Sequence, residues 1–279
     1  MSTATATATR RPVNPARQAL RLTRTEFTLL YRYRTAFFLA VVMPLVFVFP
    51  LINIDQGQVL PGVDGRAFSF AAFFAICATT VGILHVSNIY AARREQLVLK
   101  RLRASGVPAM AIFGGTMLSV IGIVGVQSVA IVGLTAAITN VVPADPVLLV
   151  TSILLTCVVM TLLGAALTRY TRNAESTQMI SMLPFFFLIA ASGAFIPLNV
   201  MPEPVAALLR MFPTAPAVEL ARSAYFGYNL FAGAQTVPSP STGLDLWMAS
   251  VPSLVMLASW AVILVPVLRR FHWDPREAG

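Results

Sequence analysis

Charge is scarce in this sequence. Asp, Glu, Lys and Arg make up 11% of its 279 residues, whereas an ordinary soluble domain carries about 25%. That is too little polar surface to cover a water-soluble globule. Cysteine is scarcer still. Cys77 and Cys157 are the only two, each inside an apolar run, which excludes a disulfide framework and a cysteine metal site. Both read as packing residues. No Gly-x-x-x-x-Gly-Lys-[Ser/Thr] phosphate loop occurs, and Gly114-Gly115 has no Lys after it. His-Glu-x-x-His pairs, clustered His or Cys, and paired carboxylates are missing as well. Neither catalytic residues nor metal ligands are expected.

What fills the chain is hydrophobic sequence, 57% of it. A bilayer core of about 30 Å takes about 20 apolar residues in a helix. Six runs are long enough: Ala36–Ile54, Ala67–Tyr90, Ala109–Val141, Pro146–Leu167, Met179–Pro197 and Leu244–Leu268. Some 35 residues precede the first, and no small-residue cleavage site follows it, so it reads as an anchor and not as a signal peptide. The run interiors carry no Asp, Glu, Lys or Arg, which weighs against an ion-gradient-driven carrier. His85, near one end of the second run, reads as a hydrogen-bonded interfacial histidine, with a proton-relay role as the alternative.

The net charge of +9 is distributed between these runs. Seventeen of the twenty Lys and Arg residues lie before the first run, between the second and third, between the fourth and fifth, or after the sixth. The other loops hold only Arg66, Arg210 and Arg222. Positive loops stay cytoplasmic, so both termini are expected in the cytoplasm. Charge flanking spans points to anionic lipid headgroups and not to nucleic acid.

Between the runs, residues 1–15 read as a disordered tail and 271–279 as a cytoplasmic one. Over 16–35, Arg17, Arg21, Arg24, Thr28 and Arg32 recur along one helical face, with Leu20, Phe27, Leu30 and Tyr31 on another. That pattern predicts an amphipathic helix in the headgroup layer. Residues 91–105 predict a short helix across the membrane face, ended by Ser105-Gly106. Over 198–228, Val205, Leu208, Leu209 and Phe212 form one helical stripe, Pro213 stops it, and an amphipathic stretch Ala217–Tyr225 follows. Glu219 and Arg222 are spaced to pair. The expected fold is an all-α membrane domain over 36–270, with six transmembrane helices, an N-terminal interfacial helix, and a re-entrant or interfacial hairpin before the last span.

Two local patterns carry a family resemblance. One is Arg94-Glu95 followed by Leu99-Lys100-Arg101-Leu102-Arg103-Ala104-Ser105-Gly106-Val107-Pro108. The other is Ser192-Gly193-Ala194-Phe195-Ile196-Pro197-Leu198, then Met201-Pro202, a short helix, Pro213 and Arg222. In this order the chain resembles the membrane subunit of ABC-2 type exporters, the permease group that includes antibiotic-resistance and polysaccharide exporters. It departs in having Gln96-Leu97-Val98 where a Gly-Thr and a second Glu are common. The resemblance implies a bacterial cell-membrane permease that pairs with a second copy or homologue. A separate ABC ATPase, carrying ATP and Mg, would dock beneath. It would make 91–105 a coupling helix, with Arg93, Arg94, Glu95, Leu99, Leu102 and Arg103 as its coupling residues. This chain itself is expected to bind no cofactor.

Residues for a lipophilic cargo path are less sharply marked. Gln127, the one amide deep in the third run, suits helix glue or substrate contact alike. Ser181, Phe185, Ser192 and Phe195 are further candidates. The small-residue series Gly115, Ser119, Gly122, Gly125 and Ser128 suits close helix packing, within the chain or between copies. Alternatives to export are a membrane anchor or assembly protein without cargo, and an ion-gradient-driven carrier.

Overall fold

The computed structural model describes residues 15–32, 34–46, 48, 52, 57–60, 63–171, 173–198, 201–230, 239–269, 271 and 273. The expected disordered tail, except Pro15, and most of the C-terminal tail lie outside them.

Helix α1 (Pro15–Arg32) opens on a proline, which is preorganised for a first helical turn. Next comes α2 (34–46), helical at Arg34–Phe37 and Met43–Val46 and π-helical between, at Phe38–Val42. Strands β1 (Gln58–Leu60) and β2 (Val63–Asp64) pair antiparallel and lead into α3 (Gly65–Glu95), which is π-helical over Thr80–His85. Asp64 caps α3, accepting from the Arg66 amide at 2.8 Å and pairing with the Arg66 guanidinium at 3.0 Å. These bonds hold the Asp64 carboxyl below the usual carboxylate range. Then follow α4 (Val98–Ala104), α5 (Ala109–Thr139), α6 (Pro146–Tyr170) and α7 (Ala174–Ala190). Helices α8 (Glu203–Arg210) and α9 (Thr214–Phe226), a small ribbon of β3 (Tyr228–Asn229) with β4 (Ser239–Pro240), and α10 (Leu244–Arg269) complete the order.

Five helices among the described residues are long and apolar enough to cross a membrane: α3, α5, α6, α7 and α10. The expected first run, Ala36–Ile54, is helical over 36–46 and again at Ile52, and most of its other residues lie outside the described ones. Within its apolar window α3 is 83% buried, against 22% for α7 and for α10. The second run is thus the axis of the bundle, and α7 and α10 turn broad apolar faces outward.

Two glycines explain how α6 comes so close to α3. A Cβ at Gly164 would collide with the Gly82 carbonyl oxygen, and a Cβ at Gly82 would collide with Met160. The backbones touch there with no side chain between them.

Helix α1 does not stand alone in a surface layer. It runs alongside α5 in the same direction, with Leu22 at Gly115 and Phe27 at Gly122. Thr23 Oγ1 donates to the Gly115 carbonyl at 3.0 Å. Gly115 and Gly122 therefore serve packing within the chain. The apolar face expected on α1 is divided: Leu30 is buried, while Leu20 and Tyr31 face outward. Its outward arginines include Arg17, Arg21, Arg24 and Arg32.

The hairpin also departs from expectation. Every residue of α9 from Thr214 to Tyr225 is buried, so this helix is a core element and not an amphipathic one. Its terminal carbonyls are satisfied by the turn before α6, with Ala144 N donating to Tyr225 O and Asp145 N to Ala224 O. Embedded backbone requires such partners. In α8 only Ala206 is buried.

Candidate functional site

The basic end of the bundle gathers the last turns of α3, the 96–108 segment, the α6–α7 turn and α1. The predicted helix over 91–105 is divided there. Residues 91–95 complete α3, Leu97 adopts the left-handed conformation at φ 60°, and α4 begins at Val98. A spacing of leucines fits a continuous helix as well as a broken one, which is why the sequence misleads at this point.

The six expected coupling residues do not share one surface. Arg93 turns inward and donates to Glu26 Oε1 at 2.8 Å. Arg94 is 1% exposed and donates to the carbonyls of Thr168 and Thr171, at 2.8 and 2.6 Å. It ties α3 to the turn that starts α7. Leu99 is fully buried and Leu102 half-buried. Only Glu95 and Arg103 are exposed. The Glu95 carboxylate accepts from the Ala174 amide at 3.3 Å, at the positive N-terminus of α7. Arg103 lies over the Trp273 ring at 5.1 Å. The outward surface therefore consists of Glu95, Gln96, Leu97, Lys100, Arg101 and Arg103.

The five pathway candidates likewise do not converge. Gln127 Nε2 donates to the Ala40 and Val41 carbonyls at 3.0 and 3.1 Å. Those carbonyls belong to the π-helical stretch of α2, and the amide serves there as helix glue. Ser181 donates to Ser87 Oγ at 2.9 Å, and Ser192 to the Ile189 carbonyl at 2.6 Å. Phe185 is half-buried beside Ile83, Met160 and Leu188, while Phe195 is 66% exposed.

One cavity of about 230 Å³ opens at the basic end between α1, α3 and α5. Glu26, His85, Asn88 and Arg93 line it, and none of the five candidates does. Among the described residues the His85 ring makes no hydrogen bond to another protein group.

At the opposite end Arg222, 4% exposed, donates to the carbonyls of Phe68, Gly193 and Ala194 at 3.1, 2.8 and 2.8 Å. The Phe68 ring lies 4.0 Å from its guanidinium carbon. This joins the two halves of the second sequence pattern. Gly193, at φ 72°, lets the chain turn after α7, and the distant Arg222 holds that turn. Glu219 pairs with Arg210 at 3.0 Å and not with Arg222. Arg222's preference is physical, since three fixed carbonyls match a planar fork of donors.

Sequence reasoning missed Glu26 and the aromatic cluster at the C-terminal end. Glu26 shares a helical face with the buried Ala19 and Leu30, and it is the lone carboxylate of a basic helix. That spacing was the available signal. Phe271 and Trp273 pack on Phe113, with centroids at 5.4 and 5.7 Å, and nothing in a short basic tail announces that contact. Among the described residues no group of three or more His, Cys, Asp or Glu gathers to hold a metal ion.

Comparison with known families agrees with this architecture. The family model described as ABC-2 family transporter protein matches residues 52–268. No curated protein matches the chain.

Proposed function

Since the chain belongs to the ABC-2 transporter family and is a membrane permease component, we propose that it exports a lipophilic or amphipathic substrate from the cytoplasm or inner leaflet. In this reading a separate ABC ATPase hydrolyses ATP beneath the basic end, which faces the cytoplasm of a bacterial cell together with both termini. The observation that carries the reading is the exposed 95–103 surface, joined through Arg94 to the α6–α7 turn. A push on that surface moves α3 and the start of α7 together, a rigid-body switch. The coupling contacts are then Glu95, Leu97, Lys100, Arg101 and Arg103, while Arg93, Arg94 and Leu99 keep the surface in shape.

Because the pathway candidates share no cavity, the cargo path in this reading lies between two copies. The outward apolar face of α7, including Leu183, Phe186 and Phe187, suits such a wall. The test is capture of the tagged full chain from its native membranes in mild detergent, assayed for ATP hydrolysis. A roughly stoichiometric ATPase, lost with Glu95→Arg or Leu97→Asp, is expected. Intact chain with no ATPase would sink the exporter reading in favour of an anchor or a carrier.

A further inference from the structure

The cavity at the basic end is walled largely by apolar side chains, among them Leu29, Leu30, Ile89 and Ile123. Its polar members are incompletely used. Glu26 is 7% exposed, and its Oε1 accepts from Arg93 and Thr116, both at 2.8 Å. Its Oε2 has no partner. Among the described residues the side chains of His85 and Asn88 make no hydrogen bond, although both are half-buried. Polar groups in apolar walls are normally satisfied by protein, water or ligand.

Depth narrows the choice of ligand. From Gly65 to His85, α3 rises about 30 Å at roughly 1.5 Å per residue, the thickness of a bilayer's hydrocarbon core. His85 therefore sits where the apolar layer gives way to headgroups. Charge narrows the choice further. Glu26 and Arg93 oppose one another, so a headgroup of net charge would enter without a counter-ion, at a large desolvation cost.

We propose that this cavity binds the headgroup of a zwitterionic phospholipid with a primary amine. The phosphate lies toward Arg93, Asn88 and His85, and the ammonium toward Glu26. The acyl chains leave past Phe27 and Leu29, both partly exposed. The proposal rests on membrane insertion alone and stands apart from the exporter reading.

The test uses the full chain purified in maltoside detergent and follows its thermal unfolding against four added lipids. These are dioctanoyl phosphatidylethanolamine, phosphatidylcholine, phosphatidylglycerol and dioctanoylglycerol. Phosphatidylethanolamine is expected to raise the midpoint saturably. Phosphatidylcholine, which has no ammonium N–H, should need about fivefold more, and the other two should give no saturable shift. Asn88→Leu should weaken the phosphatidylethanolamine effect about tenfold, and Ala92→Phe, which fills the cavity, should abolish it. Equal effects of all four lipids, or a preference for phosphatidylglycerol, would overturn the proposal. So would an unchanged response in both variants. If either variant fails to fold, the ranking of lipids on the unaltered chain decides.

Discussion

Each end of the bundle carries one buried arginine that collects backbone carbonyls, and the two arginines grip opposite ends of the same helix. Arg94 holds the turn entering α7 through Thr168 and Thr171. Arg222 holds the turn leaving it through Gly193 and Ala194, and adds Phe68. Their surroundings differ. Arg222 sits on α9, a helix buried on every side, so the opposite end is a plug. Arg94 sits next to an exposed, bent segment and near a cavity, so the basic end is a handle. The same chemical device makes one end immobile and lets the other transmit.

The comparison is broken most severely by Arg222→Ala. It removes the guanidinium from the Gly193 and Ala194 carbonyls of the turn, while Phe68 O keeps its helical bond. A loss of about 3–5 kcal/mol is expected from the unsatisfied groups and the lost packing. Thermal unfolding of the purified chain checks this, and Arg222→Lys should recover only a minor part, because an ammonium lacks the planar fork. Arg94→Ala should cost less, about 2–3 kcal/mol, since Thr168 O keeps the Thr171 amide and hydroxyl as donors. Its distinguishing result is functional: the ATPase stays bound but substrate no longer stimulates it. Normal stimulation in this variant would remove Arg94 from the transmission path. Leu97→Gly should leave stability unchanged or raise it by about 1 kcal/mol, because glycine adopts the left-handed conformation freely. It should also weaken ATPase capture, which separates strain from docking.

The smallest effect concerns Asp64, at the opposite end. Its carboxyl is held low by Arg66, so its contribution is present above the unfolded carboxylate pKa near 3.9. It is lost as the pH falls through the lower folded value. The side chain is a third exposed, so Asp64→Asn should cost under about 1 kcal/mol. The difference from the unaltered chain should vanish in acid. A difference that persists once the folded-state carboxyl itself is protonated would rule out the ion pair as its source.

Much of this fold is legible in the sequence because hydropathy and helix signals coincide. Pro146 and Pro108 mark helix starts, and the observed α5, α6 and α10 match the apolar runs within a few residues. Boundaries fail where a helix outlasts its apolar stretch. Helix α7 starts at Ala174 behind an Asn173–Ser176 capping box, five residues before the run begins. Helix α3 continues to Glu95, past Tyr90. Side-chain partners are less legible, because α5 and α6 are apolar on all sides and no periodicity says which side meets which neighbour. Arg93, Arg94 and Leu99 read as a surface set because they adjoin exposed positions, whereas their partners lie dozens of residues away. The second pattern was recognised as a motif, but its reason, a distant guanidinium on a glycine turn, is a tertiary fact.

The Gly82–Gly164 contact has a mechanical consequence. Two helices whose backbones meet with no side chain between them have little room to roll over one another. Along α6 the contact lies about 27 Å from Pro146 and about 9 Å from Tyr170, at roughly 1.5 Å per residue. Arg94, on α3, grips α6 a second time near the end of that shorter stretch. Pinned at both places, α3 and α6 move as one beam. A stroke at the basic end thereby carries through to the opposite face without slippage between them.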